Sequence, residues 1–125
     1  MIAALAATLF IASPTLAQKG PSRLDGAVQG TLTNKAQGQV QVQSTRNGQV
    51  VKFDDDFKVD YRNGAEVRHI HRSTGRVTNL GPLKQKEGSQ VYSVPAKVKV
   101  SNSDFITVYS PNYDEDVATV ELLEE

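Results

Sequence analysis

Apolar and polar residues alternate one by one over short stretches of this chain. That period of two constrains the fold more than any other feature, because successive side chains of a strand point to opposite faces. Val40 and Val42 are interleaved with Gln39, Gln41 and Gln43, so one face can pack while the other meets water. Arg46-Asn47-Gly48 follows, and Asn-Gly tolerates the positive φ of a tight turn, so residues 39–53 read as a hairpin with Val51 and Phe53 facing the core. Phe57, Val59 and Tyr61 alternate with Lys58 and Asp60, and Asn63-Gly64 then turns the chain into a strand over Glu66 to Arg72. The same pattern predicts strands over Gln90 to Val94, Lys97 to Val100, Phe105 to Ser110 and Val117 to Leu123, separated by clusters of Gly, Pro, Asn, Ser and Asp. About seven or eight short strands, with no helical stretch among them, predict an all-β fold: an antiparallel β-sandwich or flattened barrel.

Composition narrows the chemistry. A chain of 125 residues has room for one domain of ordinary size, which excludes a multidomain enzyme. Fourteen Lys and Arg balance fourteen Asp and Glu, so no long-range field gathers nucleic acid or an anionic membrane. There is no cysteine, which excludes disulfide staples, thiolate metal sites, thiol redox chemistry and the lipid attachment of bacterial lipoproteins.

Residues 1–17, MIAALAATLFIASPTLA, differ from the rest because every charged side chain lies at Lys19 or later. An apolar run of about a dozen residues, then Ser13-Pro14 and a small-residue site at Ala17, predicts a helical secretory signal peptide cleaved before Gln18. No Lys or Arg precedes the run, which leaves a truncated start or a buried core helix as alternatives. Cleavage makes the product secreted or periplasmic with no membrane anchor, a short segment over 18–24 and a β domain over 25–125.

The segment Gly81 to Pro95 resembles the DM-thirteen domain, often labelled electron-transfer DM-thirteen. Leu80-Gly81-Pro82-Leu83-Lys84 and Gly88-Ser89-Gln90-Val91-Tyr92-Ser93-Val94-Pro95 are similar to that family's Leu-Gly-x-Leu-Lys and Gly-x-Gln-x-Tyr-x-x-Pro elements. Upstream, Gly30-Thr31-Leu32, Gly38-Gln39-Val40 and Phe53-Asp54-Asp55-Asp56-Phe57 resemble its opening strands, and Asn63-Gly64 before Val67 its central one. The likeness spans about residues 25–123. It implies a redox accessory, but the family's characteristic cysteine falls at Ser110, and a hydroxyl has no thiol-disulfide couple.

Candidate site residues follow. Gln90 and Tyr92 share a strand face and, with Ser110, are candidate ligand contacts; for Tyr92 the competing expectation is a packed ring with its hydroxyl at the core edge. His69 and His71, at i and i+2, project to one face and are a candidate metal pair. Neutral imidazoles suit Cu(II), Ni(II) or Zn(II), with a third ligand needed from Asp54, Asp55 or Asp56, whereas Arg68 and Arg72 oppose a cation. Asp54–Asp56 and Asp114–Asp116 read as solvated turns, without the ligand spacing of a helix-loop-helix calcium site. Arg62, Arg68, Arg72 and Arg76 offer at most a modest anion strip without a phosphate loop. No nucleophile motif supports catalysis, leaving a Ser110 hydrolase as the weakest reading. The leading expectation is a noncatalytic module binding a small ligand or an extracytoplasmic protein. Its rival is a redox accessory holding copper or haem through His69 and His71.

Overall fold

The computed structural model describes residues 23–31, 35–60 and 64–124. The expected leader, the segment after it to residue 22, and residues 61–63, which include part of the Asn63-Gly64 turn, lie outside the described residues. The chain is all-β: β1 (Arg23–Ala27), β2 (Gln29–Gly30), β3 (Ala36–Gln37), β4 (Gln39–Thr45), β5 (Gly48–Phe53), β6 (Lys58–Val59), β7 (Glu66–Ile70), β8 (Val77–Pro82), β9 (Gln90–Ser93), β10 (Phe105–Ser110), β11 (Glu115–Glu121) and β12 (Leu123–Glu124). Eight of these strands have four residues or more, and the other four have two.

Two five-stranded antiparallel sheets pack face to face. The first has the order β9-β5-β4-β1-β12 and the second β2-β11-β10-β7-β8, while β3 and β6 form a separate two-stranded ribbon. Period two does the work expected of it. Val40, Val42, Val51, Phe53 and Tyr92 point inward from the first sheet, and Val67, Ile106, Val108, Ala118 and Val120 from the second, all buried. Phe53 meets Phe57 edge-on at 4.6 Å and Tyr92 at 5.6 Å between ring centroids, an arrangement that suits the ring quadrupoles.

The two sheets are sewn together along one side. Leu123 and Glu124 pair with Asp25 and Leu24 in the first sheet, and Ala118 and Thr119 pair with Gly30 and Gln29 in the second, with no slip of register between. One antiparallel ribbon, β1–β2 against β11–β12, therefore passes from sheet to sheet. Gly26 permits the approach, since a Cβ there would lie 2.4 Å from the Glu121 carbonyl oxygen. Leu122, fully buried at the crossing, donates its N–H to Asp104 O (2.9 Å) and accepts from Ser103 N (2.6 Å).

Along the other side the edge strands β9 and β8 are blunted. Lys84 Nζ donates to Val91 O at 2.6 Å, and Gln85 Nε2 to Ser89 O at 3.0 Å, occupying carbonyls that another strand would use. In β8 a bulge opposite Val67 and Arg68 interrupts the ladder, Gly81 N donates to Asn79 Oδ1 at 2.7 Å, and Pro82 has no N–H to give.

The expected strand over Lys97 to Val100 does not form. Val98 N closes a turn onto Pro95 O (2.9 Å), and the Val100 peptide pairs instead with the side-chain amide of Gln49: Val100 N donates to Oε1 at 2.8 Å and Nε2 donates to Val100 O at 2.9 Å. That amide stands in for the peptide of a neighbouring strand. Of the expected strand from Phe57, Lys58–Val59 is strand, and its start is delayed because Asp55 and Asp56 turn the chain just before Phe57; Tyr61 lies outside the described residues.

Candidate functional site

His69 lies near the end of β7, opposite Ile106 of β10 and Thr78 of β8, and its side chain is buried between the sheets. Sequence order gives no hint of its partner: the Asp104 carboxylate, also buried, stands 2.8 Å from His69 Nε2. Asp104 Oδ1 accepts from Arg72 N at 3.0 Å and Oδ2 from Ser101 N at 2.9 Å. Burial alone would raise its pKa, but the donors Arg72 N, His69 and Ser101 N outweigh that and hold the carboxyl below its ordinary value. An ionised carboxylate only accepts, so His69 Nε2 carries a proton and donates it to Asp104. His69 Nδ1 is itself buried and has no hydrogen-bond partner.

His71 follows beyond the strand, half-buried, its ring edge-on to that of His69 with centroids 6.3 Å apart and Ser73 Oγ at 3.0 Å from Nδ1. The flanking arginines turn elsewhere. Arg68 stacks 3.9 Å over the Tyr109 ring on the outer face, and Arg72 Nη1 reaches Glu121 Oε2 at 3.3 Å. They form no strip.

Gln90 and Tyr92 are brought together, both buried. The Tyr92 hydroxyl donates to Gln90 Oε1 at 2.5 Å and accepts from Lys84 N at 2.9 Å, while Gln90 Nε2 donates to Gln85 O (3.0 Å) and Gly88 O (3.1 Å). Between them they meet the backbone of Lys84, Gln85 and Gly88 in the loop before β9. Burial raises the Tyr92 phenol, with the Lys84 N–H opposing, so it stays a neutral donor. Ser110 is fully buried at the end of β10 and accepts from Tyr113 N at 3.3 Å. It lies four residues from Ile106, the partner of His69, roughly 13 Å along an extended strand.

A broad concavity lies elsewhere. An open groove of 620 Å³ runs along the outer face of the first sheet, lined by Asp25, Gln39, Gln41, Lys52, Phe53, Asp54, Asp55 and Ser89. Register explains its membership: Asp25 pairs with Gln41 and Gln41 with Lys52, so three strands contribute one transverse row. Asp54 Oδ1 accepts from Gln39 N at 3.1 Å and fixes the end of the groove. Asp54, Asp55 and Asp56 hold oxygens within 4.8 Å of one another and are, among the described residues, the one group of three acidic, His or Cys side chains so placed. They do not join the histidines.

Sequence reasoning missed Asp104 because Asn102-Ser103-Asp104 looks like any polar turn and its partners lie 32 and 35 positions away. The groove residues were visible only as the solvated half of an alternating strand. Compared with known proteins, the chain matches no family model, no curated protein and no solved structure.

Proposed function

We propose that the protein is an exported, noncatalytic binding module of the DM-thirteen type that takes a small polar ligand in the groove on the outer face of the first sheet. The observation that carries this is the groove itself: 620 Å³ of open space over Asp25, Gln39, Gln41 and Lys52 on paired strands, with Asp54, Asp55 and Ser89 in the loops beside them. Rigid strands hold such groups in place before a ligand arrives, which lowers the ordering cost of binding. Gln41 and Gln39 offer donors and acceptors together, Lys52 and Ser89 offer donors, and Asp25, Asp54 and Asp55 accept. That inventory suits a neutral ligand rich in hydroxyl or amide groups, a short saccharide or peptide, on a surface with no nucleophile and base in array. Buried Gln90, Tyr92 and Ser110 then support the frame rather than touch the ligand. Export is part of the reading and rests on residues 1–17 alone.

The test uses the purified protein and a panel of short oligosaccharides and peptides, followed by amide chemical shifts. A binder should move Gln39, Gln41 and Lys52 resonances. A Gln41→Ala/Lys52→Ala double variant should bind about tenfold more weakly, the loss of roughly 1.4 kcal/mol expected of one or two hydrogen bonds, with unchanged thermal unfolding. Binding that shifts other residues only, or survives the double substitution, overturns the reading. Export is checked separately by recovering the protein outside the cytoplasm with Gln18 at its amino terminus.

A further inference from the structure

We propose that the outer face of the first sheet pairs with the same face of a second copy of this chain. One transverse row makes that face self-complementary. Leu123 pairs with Asp25, Asp25 with Gln41, Gln41 with Lys52 and Lys52 with Val91, so β12, β1, β4, β5 and β9 each contribute one residue, side by side. All five lie on the solvent side, because their strand neighbours Leu122, Leu24, Val42, Val51 and Tyr92 fill the core. Leu123 and Val91 are 54% and 42% exposed, two of the four large apolar side chains left in water among the described residues.

From edge to edge the row runs apolar, acid, amide, base, apolar. A two-fold axis lying between two such faces, parallel to β4 and passing over Gln41, reverses the order of the strands but keeps their direction. It sets Asp25 of each copy against Lys52 of the other, Leu123 against Val91, and Gln41 against Gln41. The long lysine stem and the aspartate together span the gap of about 10 Å between packed sheets. An amide carries donor and acceptor, so it pairs with its own image. The alternative axis, running across the strands, would set Asp25 on Asp25 and Lys52 on Lys52, and like charges reject it.

The rows on either side accept the same axis. Arg23 pairs with Gln43 and Gln43 with Val50, so Arg23 of one copy meets Val50 of the other. Ala27 pairs with Gln39, whose other neighbour is Asp54, so Ala27 meets Asp54. These three rows bring no like charges together. Within its own copy Asp25 has Arg23 Nε at 3.8 Å, a partly exposed contact that a second cation can share. Strands of these lengths cover roughly 400 Å² a side, small for a specific interface, so the pair dissociates on dilution. The contact lies over the groove without resting on the ligand reading; a ligand seated on Gln41 and Lys52 competes with the second copy.

The experiment is sedimentation equilibrium of the purified protein, without added ligand, over a wide range of concentration at low and high salt. The parent should pass from monomer to dimer, less readily in high salt. Lys52→Glu, which sets a carboxylate against Asp25, and Gln41→Glu, which sets two carboxylates together on the axis, should each weaken association about tenfold or more with unchanged thermal unfolding. Combining Lys52→Asp with Asp25→Lys restores opposite charges under the same axis and should recover association to within about threefold of the parent. Gln41→Cys, the only thiol in such a chain, should be joined to its copy by a short bis-maleimide, whereas Val77→Cys on the far sheet should not. A parent that stays monomeric throughout overturns the pairing and leaves the face to a small ligand, whose own test is the shift of Gln39 and Gln41. A dimer that survives both Lys52→Glu and Gln41→Glu, or that is joined through Val77→Cys and not Gln41→Cys, places another surface at the contact and overturns it equally.

Discussion

Asp104 shows how much one buried side chain can organise. It joins the turn after β7 through Arg72 N, its own turn through Ser101 N and the core through His69, while its carbonyl receives Leu122 N at the sheet crossing. Replacing it by Ala strands an imidazole and two peptide donors, so the loss should be roughly 3 kcal/mol by chemical denaturation. The pH dependence has a defined sign. The folded carboxyl binds its proton more weakly than the unfolded one, so the stabilisation is complete above the ordinary aspartate value and is lost as pH falls through the lower folded value. The unfolding free energies of parent and Asp104→Asn should therefore converge in strong acid and separate towards neutrality; parallel curves would contradict this. Tyr92→Phe is a milder case at the same scale. It leaves Lys84 N without its acceptor and should cost about 1–2 kcal/mol with the core ring retained.

At the scale of elements, edge protection carries the clearest consequence. With Lys84 Nζ on Val91 O, β9 offers a neighbouring chain a carbonyl already occupied. Lys84→Ala should free it beside an exposed Val91 and increase self-association in sedimentation or light scattering, whereas Lys86→Ala, with its side chain outside this contact, should not. The alternation of β4, β5, β10 and β11 was legible because each carries apolar residues at every second position. β1 was not, since Leu24 is the only large apolar residue in Arg23-Leu24-Asp25-Gly26-Ala27. β8 contains Gly81 and Pro82, which read as punctuation although a bulged edge strand tolerates both. Lys97 to Val100 carried the pattern without the pairing, because the choice of Gln49 as partner is made in space. The inward face of His69 was legible from its alternation with Val67; its carboxylate was not, because strand order alone brings Asp104 to it.

The whole molecule depends on the ribbon that crosses between the sheets. Leu122 is fully buried at the crossing and β12 completes the first sheet against β1, so ending the chain after Val120 removes a core side chain and an edge together. Loss of a buried leucine alone costs about 2–5 kcal/mol, enough to unfold a domain of ordinary stability. Gly26→Ala strikes the same place from the other strand, forcing Glu121 O or the Val120 side chain to move, and should lower the thermal midpoint by several degrees. Normal melting of either variant would show that the two sheets hold without their seam. The pairing of Leu24 with Glu124 also brings the first and last described residues, 23 and 124, to one pole. A cargo fused to either extremity would leave from the same end of the sheet as the Asn47-Gly48 tip of the β4–β5 hairpin, because Arg23 pairs with Gln43 just before that tip. Rejoining those extremities with a few flexible residues and reopening the polypeptide at that tip should yield a permuted version with the same architecture.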